Sequence, residues 1–141
     1  MRNTSVQNIM SRKVVIAKKE NTLFQVKELY LKFNIHHLPV VNEKEQLIGI
    51  ISTSDLLRFY AKQLPSKAEV EVETLEKFFR IDDVMTKNPI SLDIESTVRD
   101  AAELFAINKF HALPIVKDRK IMGIVTSNDL LQYLINDILM E

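Results

Sequence analysis

Two segments of the chain carry one pattern. Gly49-Ile50-Ile51-Ser52-Thr53-Ser54-Asp55-Leu56-Leu57 returns as Gly123-Ile124-Val125-Thr126-Ser127-Asn128-Asp129-Leu130-Leu131, and the two glycines are the only ones among 141 residues. Average usage would supply about ten, so each is expected to serve a backbone need. The repetition extends upstream. Ile9-Met10-Ser11 answers Val84-Met85-Thr86, and His36-His37-Leu38-Pro39-Val40-Val41 answers His111-Ala112-Leu113-Pro114-Ile115-Val116, at a constant offset (85 − 10 = 75; 114 − 39 = 75). The offset shortens at the glycines (123 − 49 = 74), which puts one deletion between the proline and the glycine, where the polar stretches Asn42–Gln46 and Lys117–Lys120 differ in length. Such stretches read as hairpin loops, where length changes are tolerated. Two copies at this spacing mean a duplicated supersecondary unit, not a solenoid.

Each copy predicts β-α-β-β-α. In the first, Val14–Ala17 is a β-branched run, and Thr22 and Gln25 have capping-box spacing ahead of Leu23, Val26, Leu29, Tyr30 and Phe33 at helical spacing. Leu38–Val41 and Leu47–Ile51 then form a hairpin, with Pro39 placing Leu38 at a strand start or edge. A second helix opens at Ser52–Asp55 and runs through Leu56, Leu57, Phe59, Tyr60 and Leu64. In the second copy the same order gives a strand near Ile90–Leu92, a helix from about Thr97 to Asn108, a hairpin over Leu113–Val125 and a helix from Asn128 to about Leu139. Between the copies, Lys62–Arg80 is charged and contains Pro65, and its Ala68–Phe79 stretch fits either a helical extension or an extended linker.

Composition narrows the class. Hydrophobic residues at 46%, charged residues at 27% and a formal net charge of zero suit a soluble globular protein and offer no basic tract for nucleic acid or an anionic membrane. No apolar run approaches the roughly 20 residues that span a bilayer, and the first residues lead into no signal-peptide core. With no cysteine, disulfides and thiolate sites are excluded, in keeping with a cytoplasmic protein. Two glycines so far apart build neither a P-loop nor a dinucleotide-binding loop, no Gly-x-Ser-x-Gly elbow occurs, and the three histidines lack metal spacing. The expectation is no enzyme, no required cofactor and no metal.

The Gly-x-x-Ser/Thr-x-x-Asp segments admit two readings. Ser52 with Asp55 and Thr126 with Asp129 are capping boxes; or a hydroxyl, a carboxylate and free N–H groups at a helix start form a site for phosphate and sugar.

Met-Ser/Thr, His-x-Leu-Pro-Val/Ile-Val and Gly-Ile-Ile/Val-Ser/Thr-x-x-Asp-Leu-Leu, in this order and twice, resemble the cystathionine-β-synthase (CBS) domain, paired as a Bateman module. The resemblance covers nearly the whole chain: repeat 1 over residues 6–64, a linker over 65–80 and repeat 2 over 81–140. It implies an α+β fold of two β-α-β-β-α repeats packed with pseudo-two-fold symmetry. It also implies a regulatory module binding AMP, ADP or ATP in clefts between the repeats. Two alternatives stand beside this: S-adenosylmethionine or a related nucleoside as ligand, or a ligand-free interaction scaffold.

By this resemblance one cleft uses Lys13, Val14, Ile35 and His36 with Ile124, Thr126, Asn128 and Asp129. The other uses Asn88, Pro89, Phe110 and His111 with Ile50, Ser52, Ser54 and Asp55. Asp55 and Asp129 would hold ribose, Ser52 and Thr126 would face phosphate, Ile35 or Phe110 would cover adenine, and His36 and His111 match positions that contact phosphate. Three departures make the clefts unequal: Val14 stands against Pro89, His37 against Ala112, and Lys13 against Asn88. A homodimer is expected through the apolar excess of the second and last helices, with Leu57, Leu131, Ile135, Ile138 and Leu139 among the residues involved. The alternative is that this excess covers the linker around Phe78–Phe79. Any regulated effector would be a separate protein.

Overall fold

The computed structural model describes residues 3–63 and 72–139. They form two compact units whose boundaries do not follow the repeats. A central unit is the continuous stretch Val15–Pro89, and a split unit joins Met1–Val14 to Ile90–Glu141.

The central unit contains β1 (Ala17–Lys18), α1 (Leu23–Phe33), β2 (His37–Val41), β3 (Leu47–Ser52), α2 (Thr53–Gln63), α3 (Val72–Phe78) and β4 (Thr86–Lys87). Its sheet has the order β1-β2-β3-β4. β1 runs parallel to β2, while the β2–β3 and β3–β4 pairs are antiparallel. Thr22 starts α1 as expected: its hydroxyl accepts from Gln25 N–H at 3.1 Å and the Gln25 side chain accepts from Thr22 N–H at 2.9 Å. Leu23, Val26 and Tyr30, three or four residues apart, bury one face of α1 against Leu38, Val40 and Ile51. Asn34 then turns left-handed (φ 50°) and ends the helix.

The split unit contains β5 (Leu92–Asp93), α4 (Val98–Ile107), β6 (Ala112–Lys117), β7 (Lys120–Thr126) and α5 (Ser127–Tyr133), with a π-helical continuation over Leu134–Leu139. Its sheet has the order β5-β6-β7, and Ser11 adds an antiparallel bridge to Ile124 of β7. Val6 and Met10 are buried here with Ala101, Leu113, Ile115 and Val125.

Each sheet therefore borrows the approach segment of the other repeat. Thr86 pairs with Ile50, and Ser11 with Ile124. This explains the glycines. A Cβ on Gly123 would stand 2.7 Å from the Met10 sulfur and 2.9 Å from the Ser11 carbonyl oxygen, and one on Gly49 would collide with the Met85 sulfur and lie 3.1 Å from Thr86 O. Neither glycine has positive φ, so close approach is the need they serve.

The deletion also has its physical form. Val41 pairs with Leu47 across five loop residues, and Val116 with Ile121 across four. In the longer loop Asn42 Oδ1 accepts from the N–H groups of Lys44 and Gln46, and Glu45 takes φ 62°. In the shorter one Lys117 pairs with Lys120, and Asp118 and Arg119 both take positive φ, the geometry of a two-residue type I′ turn.

Several expectations shift. The Val14–Ala17 strand reduces to Ala17 with Lys18, because Val14 belongs to the split unit and Ala17 is the first residue to meet β2, at Val40. The strand near Ile90–Leu92 moves to Leu92–Asp93, which pair with Ile115 and Val116. Pro39 lies near the start of β2, where β1 has not yet begun to pair, so its missing N–H leaves no gap in that ladder. In the linker Val72–Phe78 is helical; Leu64, Pro65 and Ala68 lie outside the described residues. The last helix is α-helical only to Tyr133 and π-helical beyond.

Candidate functional site

At the turn from β3 into α2, Ser52 Oγ accepts from Asp55 N–H and Asp55 Oδ2 accepts from Ser52 N–H, both at 3.0 Å. At the turn from β7 into α5, Thr126 Oγ1 accepts from Asp129 N–H at 3.1 Å and Asp129 Oδ2 accepts from Thr126 N–H at 2.9 Å. Both segments are therefore reciprocal capping boxes, which fixes each carboxylate in orientation through one of its oxygens. The preceding pre-proline segments join the same turns. Thr53 N–H donates to His36 O and Ser127 N–H to His111 O, each at 2.9 Å.

The split unit gathers Lys13, Val14, Phe110, His111, Ile124, Thr126, Asn128 and Asp129; the central unit gathers Ile35, His36, Ile50, Ser52, Ser54, Asp55, Asn88 and Pro89. Within the split unit, Ser11 N–H donates to Ile124 O at 2.9 Å and Ser11 O accepts from Ile124 N–H at 3.0 Å, bringing the segment that leads into Lys13 and Val14 to β7. Within the central unit, Asn88 N–H donates to Ile48 O at 3.1 Å, beside Ile50, and Asn88 takes the left-handed φ of 49°. That conformation suits asparagine, whereas Lys13 has no such backbone. None of these residues is fully buried: Lys13, His36, Ser54, Asn88, His111 and Asn128 are exposed and the others half-buried. Ile35 and His36 lie in one unit and the Asp129 set in the other, as do Phe110 and His111 relative to the Asp55 set.

The electrostatic settings of the two carboxylates differ. Asp55 Oδ1 accepts from Arg58 Nη2 at 2.6 Å, so both of its oxygens are engaged. Tyr30, buried beneath, donates its hydroxyl to Ile51 O at 2.5 Å, and burial together with the Asp55 charge raises its pKa far above the ordinary phenol value. Asp129 Oδ1 has no partner among the described residues. Asp129 instead lines an open groove of about 220 Å³ with Asn8, Ile9, Gln132, Tyr133, Asn136 and Asp137, all within the split unit. No other expected site residue lines it. Arg58 and the groove residues were missed by motif reading, although an Arg three residues after Asp55 on one helix face is a legible signal.

Among the described residues no three His, Asp or Glu side chains converge as a metal site. No described helix is long and apolar enough to cross a membrane.

The family model for the CBS domain matches residues 6–62 and 81–136. The chain belongs to the CBS domain family. A CBS domain-containing protein of Dictyostelium discoideum is 32% identical over 132 residues, covering 92% of this chain and 90% of that protein. The CBS domain pair of protein MJ0100, solved with 5′-methylthioadenosine and S-adenosyl-L-methionine, superposes with a TM-score of 0.79 at 27% identity, covering 95% of this chain and 98% of the other. CBSX2, solved with AMP, gives 0.78 at 24% over 95% and 98%, a likeness of fold. The fold is thus that of an α+β CBS pair. Some longer relatives carry enzyme names, and this chain spans a small part of them, 22% in one case.

Proposed function

We propose that this CBS pair is a non-catalytic regulatory module that binds an adenosine-containing ligand, AMP, ADP or ATP, with Asp55 and Asp129 accepting from ribose hydroxyls. The observation that carries the reading is the pair of half-buried carboxylates, each held by one oxygen in its own helix cap and so oriented before any ligand arrives. A preorganised acceptor loses little freedom on binding.

In this reading Lys13, Val14, Ile124, Thr126, Asn128 and Asp129, with Ile35 and His36, serve one ligand. Asn88, Pro89, Ile50, Ser52, Ser54 and Asp55, with Phe110 and His111, serve the other. Ser52 and Thr126 face the phosphate side, joined by His36 and His111, and Ile35 and Phe110 cover adenine. S-adenosylmethionine or a related nucleoside fits the same carboxylates, and the 27% identical pair solved with two such compounds favours that second reading.

The module acts in the cytoplasm on a separate effector protein and pairs with a second copy through Leu57, Leu131 and Ile135, which are 70%, 56% and 50% exposed. The side chains of Ile138 and Leu139 lie outside the described residues. Part of the apolar excess of α2 is used within the chain: the Phe59 ring meets Phe79 edge-on at 4.9 Å.

Titration calorimetry of the full chain with AMP and with S-adenosylmethionine tests the reading. Asp55→Ala and Asp129→Ala are each expected to weaken one binding event by roughly 1.5–3 kcal/mol, the range for hydrogen bonds to a charged group. Unchanged affinity in the double variant removes the ribose role.

A further inference from the structure

Arg58 and Gln132 stand three residues after Asp55 and Asp129, at equivalent places in the duplication. The exchange changes the charge around each carboxylate. Arg58 balances Asp55 through the 2.6 Å bond to Oδ1, and the Arg58 side chain is 75% exposed, so it can turn from Asp55 to another anion without leaving the surface. A guanidinium is well matched to phosphate oxygens. Among the described residues no cation pairs with Asp129 or lines its groove. Its groove presents a second carboxylate, Asp137, and the carboxamides of Asn8, Gln132 and Asn136. Lys13 is in the same unit but does not line the groove.

We infer that the two carboxylates sort adenosine ligands by charge: the Asp55 site takes those bearing a 5′-phosphate, and the Asp129 site takes uncharged or cationic nucleoside derivatives. The inference rests on the ribose role proposed above. A phosphate held in the groove near Asp129 and Asp137 meets like charge with no cation in the groove lining, whereas near Asp55 it gains Arg58. Carboxamides donate to and accept from neutral groups, and Asp137 offers a cationic tail a counter-charge.

Calorimetry with AMP, adenosine and S-adenosylmethionine on the full chain tests this, using Asp55→Asn and Asp129→Asn to leave one site at a time. With Asp55→Asn the remaining site is expected to bind adenosine and S-adenosylmethionine about tenfold more tightly than AMP, and with Asp129→Asn the order reverses. Adding Gln132→Arg to Asp55→Asn is expected to raise AMP affinity about tenfold relative to adenosine, a gain that shrinks as salt is added. Gln132 is exposed, so the added substitution retains the fold. Equal AMP-to-adenosine ratios at the two sites, or no response to Gln132→Arg, overturn the sorting but leave the ribose role standing. If none of the three compounds binds the unaltered protein, the ribose role and the sorting fall together.

Discussion

The central and split units share a backbone plan and brace it with different chemistry. In both, a capping box starts each repeat helix, a glycine receives a methionine, and the hairpin shifts register at one place, between Val40 and Val41 or between Ile115 and Val116. The braces are polar in the central unit. Lys27 pairs with the buried Glu76 of α3, the Tyr60 hydroxyl donates to Glu76 at 3.2 Å, Tyr30 ties α1 to Ile51, and Arg58 holds Asp55. At the equivalent places the split unit has Ala102, Leu134, Phe105 and Gln132, and Phe105 packs against Phe110 with ring centroids 5.8 Å apart. Features that set backbone geometry are copied because both sheets need them. The side chains around that geometry diverge and give each unit its own electrostatics.

The sharpest way to break this comparison is to remove the polar brace. Lys27→Met leaves the Glu76 carboxylate, 6% exposed, with the Tyr60 hydroxyl as its one partner among the described residues, and is expected to cost about 3 kcal/mol, as for a buried pair that loses one partner. Native-state hydrogen exchange should place the loss in α1 and α2 and leave α4 protected. An equal loss in both units would mean that the braces are not local to their units.

The glycines give a smaller contrast. Gly123→Ala brings a Cβ within 2.9 Å of a backbone carbonyl, which yields only if the strand shifts, whereas the Cβ of Gly49→Ala chiefly meets the flexible Met85 side chain. Urea unfolding is expected to show losses of about 2–3 and about 1–2 kcal/mol respectively, in the range for overpacked cores. The reverse order would show that the methionine contact, not the backbone approach, fixes the glycine.

These contrasts also show how much could be read from residues alone. Capping boxes are local, so Thr22 with Gln25 and Ser52 with Asp55 announced the helix starts, and the shortened offset announced the shorter loop. The exchange of approach segments followed from the family resemblance, which set Lys13 and Val14 with Asp129 and Asn88 and Pro89 with Asp55; periodicity did not register it, because β4 has two residues and Ser11 contributes a single bridge. The docking of α3 through Glu76 was hidden for a different reason: a charged residue in a polar linker gives no sign that it will be buried. At the candidate site the carboxylates were legible from spacing, while the groove beside Asp129 depends on Asn8 and Ile9 arriving from the far end of the chain.

The smallest expected effect separates the two first-helix caps. The residue that closes the box is Gln25 in α1 and Asp100 in α4. Hydrogen bonds from the Thr97 backbone N–H, then the Thr97 side chain, hold the Asp100 carboxyl below its ordinary value of 3.8. A depressed carboxyl contributes stability above its unfolded pKa and loses that contribution as pH falls through the folded pKa. Acidification below the ordinary aspartate range is therefore expected to loosen the start of α4 before that of α1, seen as earlier loss of the Asp100 amide signal than of the Gln25 amide signal in an NMR pH titration. Asp100→Asn should abolish the difference, and its persistence would move the cause elsewhere.

The split path of the chain sets an order of events during synthesis. Every partner of β3 has left the ribosome soon after Pro89, so the central unit can close while the rest is still being made. Val6 and Met10, buried in the finished protein, have no such early destination: their core partners Leu113, Ile115 and Val125 emerge later. At about 5–20 residues per second this leaves the N-terminal segment waiting for seconds with apolar side chains in water. A nascent-chain chaperone that grips short apolar segments would find its opening there, after the central unit has folded and before β7 is complete.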